Sequence, residues 1–233
     1  RNKGNLATTL LLAPILAILV SFVLRYSEDG AYNFASAAHI PAYLFLTLLI
    51  GMFLGLMNSA EEILRDRTLL QRERNHRLRA TSYVLTKVMA LSVFAILQCI
   101  IYLLIGDAIL AIRDMFWVEL FWMGSAAIIG VVAGLLISSL VPNIMTALNV
   151  IPLVLIPQII LGGALIKYEE MNRGVNLISA AKGWFRPVDE QERKGGSKLE
   201  VPEICQIMPL RWSYEGIIIS HAEYNPVSAL QNA

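Results

Sequence analysis

Hydrophobic positions in this chain fall in long uncharged runs rather than in alternation or in narrow helical stripes. Leu6 to Leu24, Ile40 to Ala60 and Val88 to Gly106 carry no charged residue. Each is about long enough to cross the roughly 30 Å hydrocarbon layer of a membrane as a helix. Leu120 to Ile166 is uncharged throughout, far more than the roughly 20 residues one membrane helix requires, so it is expected to form two. Pro142-Asn143 is the natural turn between them, because a proline disfavours helix at Val141 and removes a backbone donor, which lipid does not tolerate. The pattern therefore predicts an all-α integral membrane fold with spans at 6–24, 40–60, 88–106, 120–140 and 144–166. Pro152 and Pro157 predict a kink in the fifth. Gly162-Gly163 allows close approach of a neighbouring helix or an unwound end, and ordinary packing explains it equally well.

Composition agrees with this pattern. The chain has 233 residues, 56% of them hydrophobic and 16% charged, with a mean hydropathy of +0.59, too apolar for a soluble globular domain. The net charge of +1 conceals an uneven distribution. Basic residues gather at Arg1 and Lys3 and in Glu61 to Arg79, where six arginines stand against four acids. Basic residues near span ends stay on the inner side, so the N-terminus and segment 61–79 are expected in the cytoplasm of a multi-pass protein of the cell membrane. Tyr26 to His39, Asp107 to Glu119 and the region 167–233 are then external. Ile63, Leu64, Leu69, Leu70 and Leu78 interrupt the charges of 61–79 at helical spacing, which predicts an amphipathic helix on the membrane surface or docked on a partner.

Region 167–233 has mixed charges. Ile204 to Met208 and Ile217 to Ile219 are too short to span and are expected as re-entrant or surface helices packed on the spans.

Several chemistries find no footing. Cys99 lies in an apolar run and Cys205 in a polar region, so neither a disulfide framework nor zinc spacing is present. Leu6 to Leu24 is too long for a signal peptide and lacks a cleavage site. Gly195-Gly196-Ser197-Lys198 has the wrong order for a phosphate loop. His39, His76 and His221 stand isolated, without the further ligands a metal needs. The spans hold neither the charges of an ion-coupled pump nor an acid pair for intramembrane catalysis. Nucleic-acid binding gains no support from the charge distribution. Asn149 and Gln158 are polar exceptions in the fifth span, each either an interhelical hydrogen bond or part of a cavity lining.

Glu61 to Lys87, EEILRDRTLLQRERNHRLRATSYVLTK, resembles the segment after the second span in type-2 ABC exporter permeases. It is most similar to the G subfamily of pigment-precursor and sterol half-transporters. Leu161-Gly162-Gly163 and Pro209-Leu210-Arg211-Trp212-Ser213-Tyr214-Glu215-Gly216 resemble further motifs of that family in the same order. The resemblance implies a dimer of membrane domains driven by nucleotide-binding domains that bind ATP and Mg. It also implies a sixth span and a nucleotide-binding domain outside these residues, with no catalytic residue, metal or cofactor in this chain. Coupling to the nucleotide-binding domain would fall to Glu61, Glu62, Asp66, Arg67, Arg72, Glu73 and Arg74. A cavity for a lipid, sterol-like or drug-like molecule would be lined by Phe53, Leu54, Asn149, Ile156 and Ile159. The competing expectation is a membrane scaffold that recruits a cytosolic partner through the same charged segment without transport.

Overall fold

The computed structural model describes residues 3–24, 40–73, 80–110, 112, 114–164 and 203–224. Among them the secondary structure is entirely helical: α1 (Lys3–Leu24), α2 (Ile40–Ser59), α3 (Glu62–Glu73), α4 (Ala80–Leu110), α5 (Phe116–Leu140), α6 (Ile144–Leu161), α7 (Glu203–Gln206) and α8 (Pro209–Tyr224), the remaining described residues forming short turns and connections. Helices α2, α4, α5 and α6 are long and apolar enough to cross a membrane, and α1 carries the shorter apolar stretch Thr9–Leu24. The protein is an integral, multi-pass membrane protein.

Helix α4 differs most from the hydrophobic pattern. With 31 residues it is about 46 Å long, well beyond the uncharged run 88–106. Its added turns at the N-terminal end carry Tyr83 and Lys87, and its C-terminal turn takes in Asp107. Glu119 likewise belongs to the first turn of α5. The connection expected over 107–119 is therefore mostly helix, because the polar groups at its two ends find partners inside the protein.

Helix α2 is the centre of the bundle and packs most extensively on α5. The reason is a seam of glycines spaced by four on each helix, Gly51 and Gly55 of α2 against Met123, Ala127 and Val131 of α5, and Gly130 and Gly134 of α5 against Met52, Leu56 and Ser59 of α2. A Cβ on Gly55 would lie 2.2 Å from the Ala127 carbonyl oxygen, and one on Gly130 would lie 2.3 Å from that of Met52. Backbone touches backbone along this line. In lipid, where burial of apolar surface drives little association, such close approach supplies dispersion contact and weak Cα–H···O bonds.

Polar side chains pin the remaining helices. Asn58 of α2 donates to Gln98 of α4, and Gln98 donates in turn to the Thr9 carbonyl of α1 at 2.7 Å. The turn before α6 forms as expected: Val141 is extended, and the Asn143 side chain caps the helix by accepting from the Thr146 amide at 2.8 Å. Pro152 and Pro157 both lie inside α6, whose buried residues form one narrow stripe, Ala147, Ile151 and Gln158. Gly162 meets the Phe45 ring of α2, and Gly163, at φ 81°, adopts the left-handed conformation glycine tolerates best.

Helix α8 joins the apolar piece 217–219 into one element of 16 residues, about 24 Å and too short to cross alone. It packs on α2, α5 and α6 at the end of the bundle opposite α3. Gln158 accepts from the Leu210 amide at 3.2 Å, Tyr214 stacks edge-on against Phe45, and Trp122 donates to the Ser220 hydroxyl at 3.1 Å. Gln158 is thus an interhelical hydrogen bond.

Candidate functional site

Within the charged segment, Glu62–Glu73 form α3 immediately after α2. Its first turn continues from α2 through Ala60 and Glu61, with the Ala60 amide bonded to the Leu56 carbonyl at 2.9 Å and the Arg65 amide to the Glu61 carbonyl at 3.0 Å. Two pairs spaced by four then face one another. Glu62 and Asp66 lie on one side of α3, Tyr83 and Lys87 on the first turns of α4, and residues four apart share a helix face. The Lys87 ammonium bridges both acids, at 2.9 Å from Glu62 Oε1 and 2.6 Å from Asp66 Oδ2. The Tyr83 hydroxyl donates to Asp66 Oδ2 at 2.9 Å. The Glu62, Asp66 and Lys87 side chains are 19–27% exposed, so the shared lysine acts where water screens it only partly.

The opposite side of α3 is held by α5. The amides of Ile63 and Leu64 both donate to the Ser138 hydroxyl oxygen, at 3.1 and 3.2 Å. Arg67 reaches the Pro142 carbonyl of the α5–α6 turn at 3.3 Å. Glu61 pairs with Arg65 one turn on. The helix is therefore fastened to α4 and α5 at its start, while Arg65 and Arg67 remain exposed.

Sequence reasoning assigned Glu62 and Asp66 to a partner protein, and the structure gives both a partner within the chain. Glu61 and Arg67 also make contacts inside the protein. Arg72 and Glu73 belong to α3, but their side chains fall outside the described residues, as does all of Arg74 and His76. Sequence reasoning missed Ser138, Tyr83 and Lys87 as parts of this assembly. The matching spacing of 62/66 and 83/87 was the available signal for the last two. For Ser138 there was only a hydroxyl pair, Ser138-Ser139, closing an aliphatic run.

The residues expected to line a cavity do not share one environment. Leu54 is buried at 1% exposure within the helix bundle. Phe53 and Ile159 are partly buried against the core. Asn149 and Ile156 lie on the exposed side of α6 with Met145 and Leu153.

A second polar cluster sits at the α8 end, and sequence reasoning read its members as unrelated. His221 Nε2 lies 3.1 Å from Glu119 Oε1, and both side chains are fully buried. The Asp107 carboxyl interacts with that of Glu119 and accepts from the Tyr43 hydroxyl at 3.5 Å. His221 is thus not isolated. Polar contacts made in a dry site are costly to lose, which makes the cluster a tie between α8, α5, α4 and α2. Among the described residues no group of three potential ligands could hold a metal. Both cysteines are buried.

Compared with known families, residues 1–181 match the model described as ABC-2 type transporter. No curated protein and no solved structure matches the chain.

Proposed function

The chain belongs to the ABC-2 type transporter family as a membrane component, and from that premise we propose that α3 is its coupling helix to an ATP-hydrolysing partner. The observation that carries this reading is the fastening of α3. A highly charged helix anchored through Ser138 and Lys87 to two apolar helices resists being pulled away, so force applied to its outer face reaches the bundle. A helix serving only as a topology signal would need no such fastening.

In this reading Arg72, Glu73 and Arg74, together with exposed Arg65 and Arg67, meet a nucleotide-binding domain through charge-assisted hydrogen bonds that reform in each cycle. ATP and Mg are bound by that domain. Glu62 and Asp66 instead hold α3 in place. Two copies of the membrane domain pair, in an arrangement like that of the G subfamily, and move a hydrophobic or amphipathic molecule outward. The uncharged exposed face of α6, with Met145, Leu153 and Ile156 beside the single polar Asn149, suits such a substrate better than an ion or a sugar.

Orientation follows from the same segment. With α3 in the cytoplasm, a cysteine at position 76 is expected to react with an impermeant maleimide only from the inside and one at position 195 only from the outside. Labelling of both from one side would end the five-span arrangement.

The coupling role itself is tested with Glu73→Ala in reconstituted vesicles, reading ATP hydrolysis and export of a short-chain fluorescent phospholipid. Insertion, dimerisation and basal hydrolysis are expected to persist while export falls about tenfold, the usual size of a coupling free energy. Wild-type export together with wild-type stimulation of hydrolysis would remove Glu73 from the coupling surface. A pure membrane anchor responds to total positive charge instead, at about 1 kcal/mol per basic residue, and is indifferent to loss of an acid.

A further inference from the structure

The first amides of any helix lack partners in their own helix, and the residue just ahead of it ordinarily satisfies one with its side chain. For α3 that residue is Glu61, whose carboxylate is turned to Arg65 instead. The cap comes from another helix: Ser138 of α5 accepts from both Ile63 and Leu64. Ser138 is 1% exposed, so no water stands ready to replace it when the bonds break.

We infer that Ser138 is a positioning residue that locks the start of α3 to α5. This rests on reading α3 as the coupling helix. Its consequence is a route of transmission. Without the cap, displacement of α3 would reach the bundle through the covalent junction at Ala60-Glu61, through Lys87 on α4 and through the exposed Arg67 at the α5–α6 turn. With it, displacement passes directly into α5, which runs from Ser138 back to Trp117 at the far end, roughly 30 Å away. The glycine seam makes α2 follow, since the two backbones are in contact at Gly55 and Gly130. Helices α2 and α5 then move as one body with α3. Helix α6, attached by its narrow stripe and by Gln158, is not bound to that motion along its length.

The test uses the assembled transporter with its ATP-binding domain and a reporter cysteine in place of Trp117, which is 78% exposed. The rate of maleimide labelling at 117 is measured with and without ATP trapped by vanadate, in the wild type, Ser138→Ala and Ser138→Thr. Wild type and Ser138→Thr are expected to show a nucleotide-dependent change in rate. In Ser138→Ala the locked arrangement loses two hydrogen bonds and is disfavoured about tenfold, so most of the change disappears while ATP hydrolysis continues. Rescue by threonine separates positioning from packing, because alanine and threonine bracket serine in size and only threonine keeps the hydroxyl.

A full nucleotide-dependent change in Ser138→Ala would overturn the inference and leave α3 coupled through Lys87, Arg67 and the covalent junction. Should Ser138→Ala fail to reach the membrane, Ser138→Cys takes its place, since sulfur is a weak acceptor, and an undiminished change there is equally fatal. Absence of any change in the wild type would overturn the coupling reading itself, and the inference with it.

Discussion

Gly55→Ala is expected to cost about 3 kcal/mol of stability, at the upper end for overpacking a tight interior, and to leave little folded protein in the membrane. The added methyl would sit 2.2 Å from the Ala127 carbonyl oxygen and 2.9 Å from the Val131 amide. Both are backbone atoms, so no side chain can rotate away and the two helices must separate. Once they do, the contacts of Gly51, Gly130 and Gly134 loosen together, because all four glycines share one seam. Gly124→Ala is the matched control, a buried glycine of α5 whose Cβ would meet nothing within 4 Å. Thermal midpoints in detergent and the yield of monodisperse protein distinguish the two. Equal behaviour would show that the α2–α5 seam is not the close contact described above.

Lys87→Met is expected to release α3 locally while leaving the bundle folded. One ammonium serves both Glu62 and Asp66, and its loss removes the counter-charge that these two partly buried carboxylates share and sets an apolar stem against them. Loss of one partner of a fully buried pair costs several kcal/mol, but partial exposure reduces the figure here to about 1–2 kcal/mol. That corresponds to roughly tenfold faster hydrogen exchange of the α3 amides, with the amides of α2 and α5 unchanged. Adding Glu62→Gln and Asp66→Asn should restore much of the protection, since neutral amides can sit at the same interface without a cation. Exchange in α3 that is indifferent to Lys87→Met would mean that α3 is held by α5 alone.

How far these features could be read from the residues alone depended on the kind of signal each one leaves. Long uncharged runs expose membrane helices directly, because lipid leaves no other way to satisfy a backbone, and the Pro142-Asn143 turn announced itself through the missing donor of the proline, whereas the Asn143 cap came from the structure. Helix ends were less visible. Asp107 and Glu119 marked a connection by charge, yet His221 and Tyr43, distant in sequence, draw both into the helical bundle. The glycine seam was written plainly as Gly51-x-x-x-Gly55 and Gly130-x-x-x-Gly134, but a spacing of four names a close contact without naming its partner. The adjacent pair Gly162-Gly163 is the more conspicuous in the sequence, and there a Cβ on Gly162 would meet the Phe45 ring. At the charged segment, composition showed that α3 is amphipathic and could not show which charges turn inward. Glu62 and Asp66 became committed to α4 only because Lys87 and Tyr83 sit on turns that extend beyond the apolar run.

The central claim is that the charged segment running from α3 to Arg74 meets an ATP-binding domain. It is tested most directly by placing a photoreactive amino acid at position 72 and, separately, at position 74, illuminating native membranes, and identifying the cross-linked peptides by mass spectrometry. The account predicts cross-links to a nucleotide-binding domain, fused or separate, with yields that change when ATP is trapped by vanadate. Cross-links confined to lipid, or to a cytosolic protein that binds no nucleotide, would contradict it and leave α3 as a membrane anchor or a scaffold.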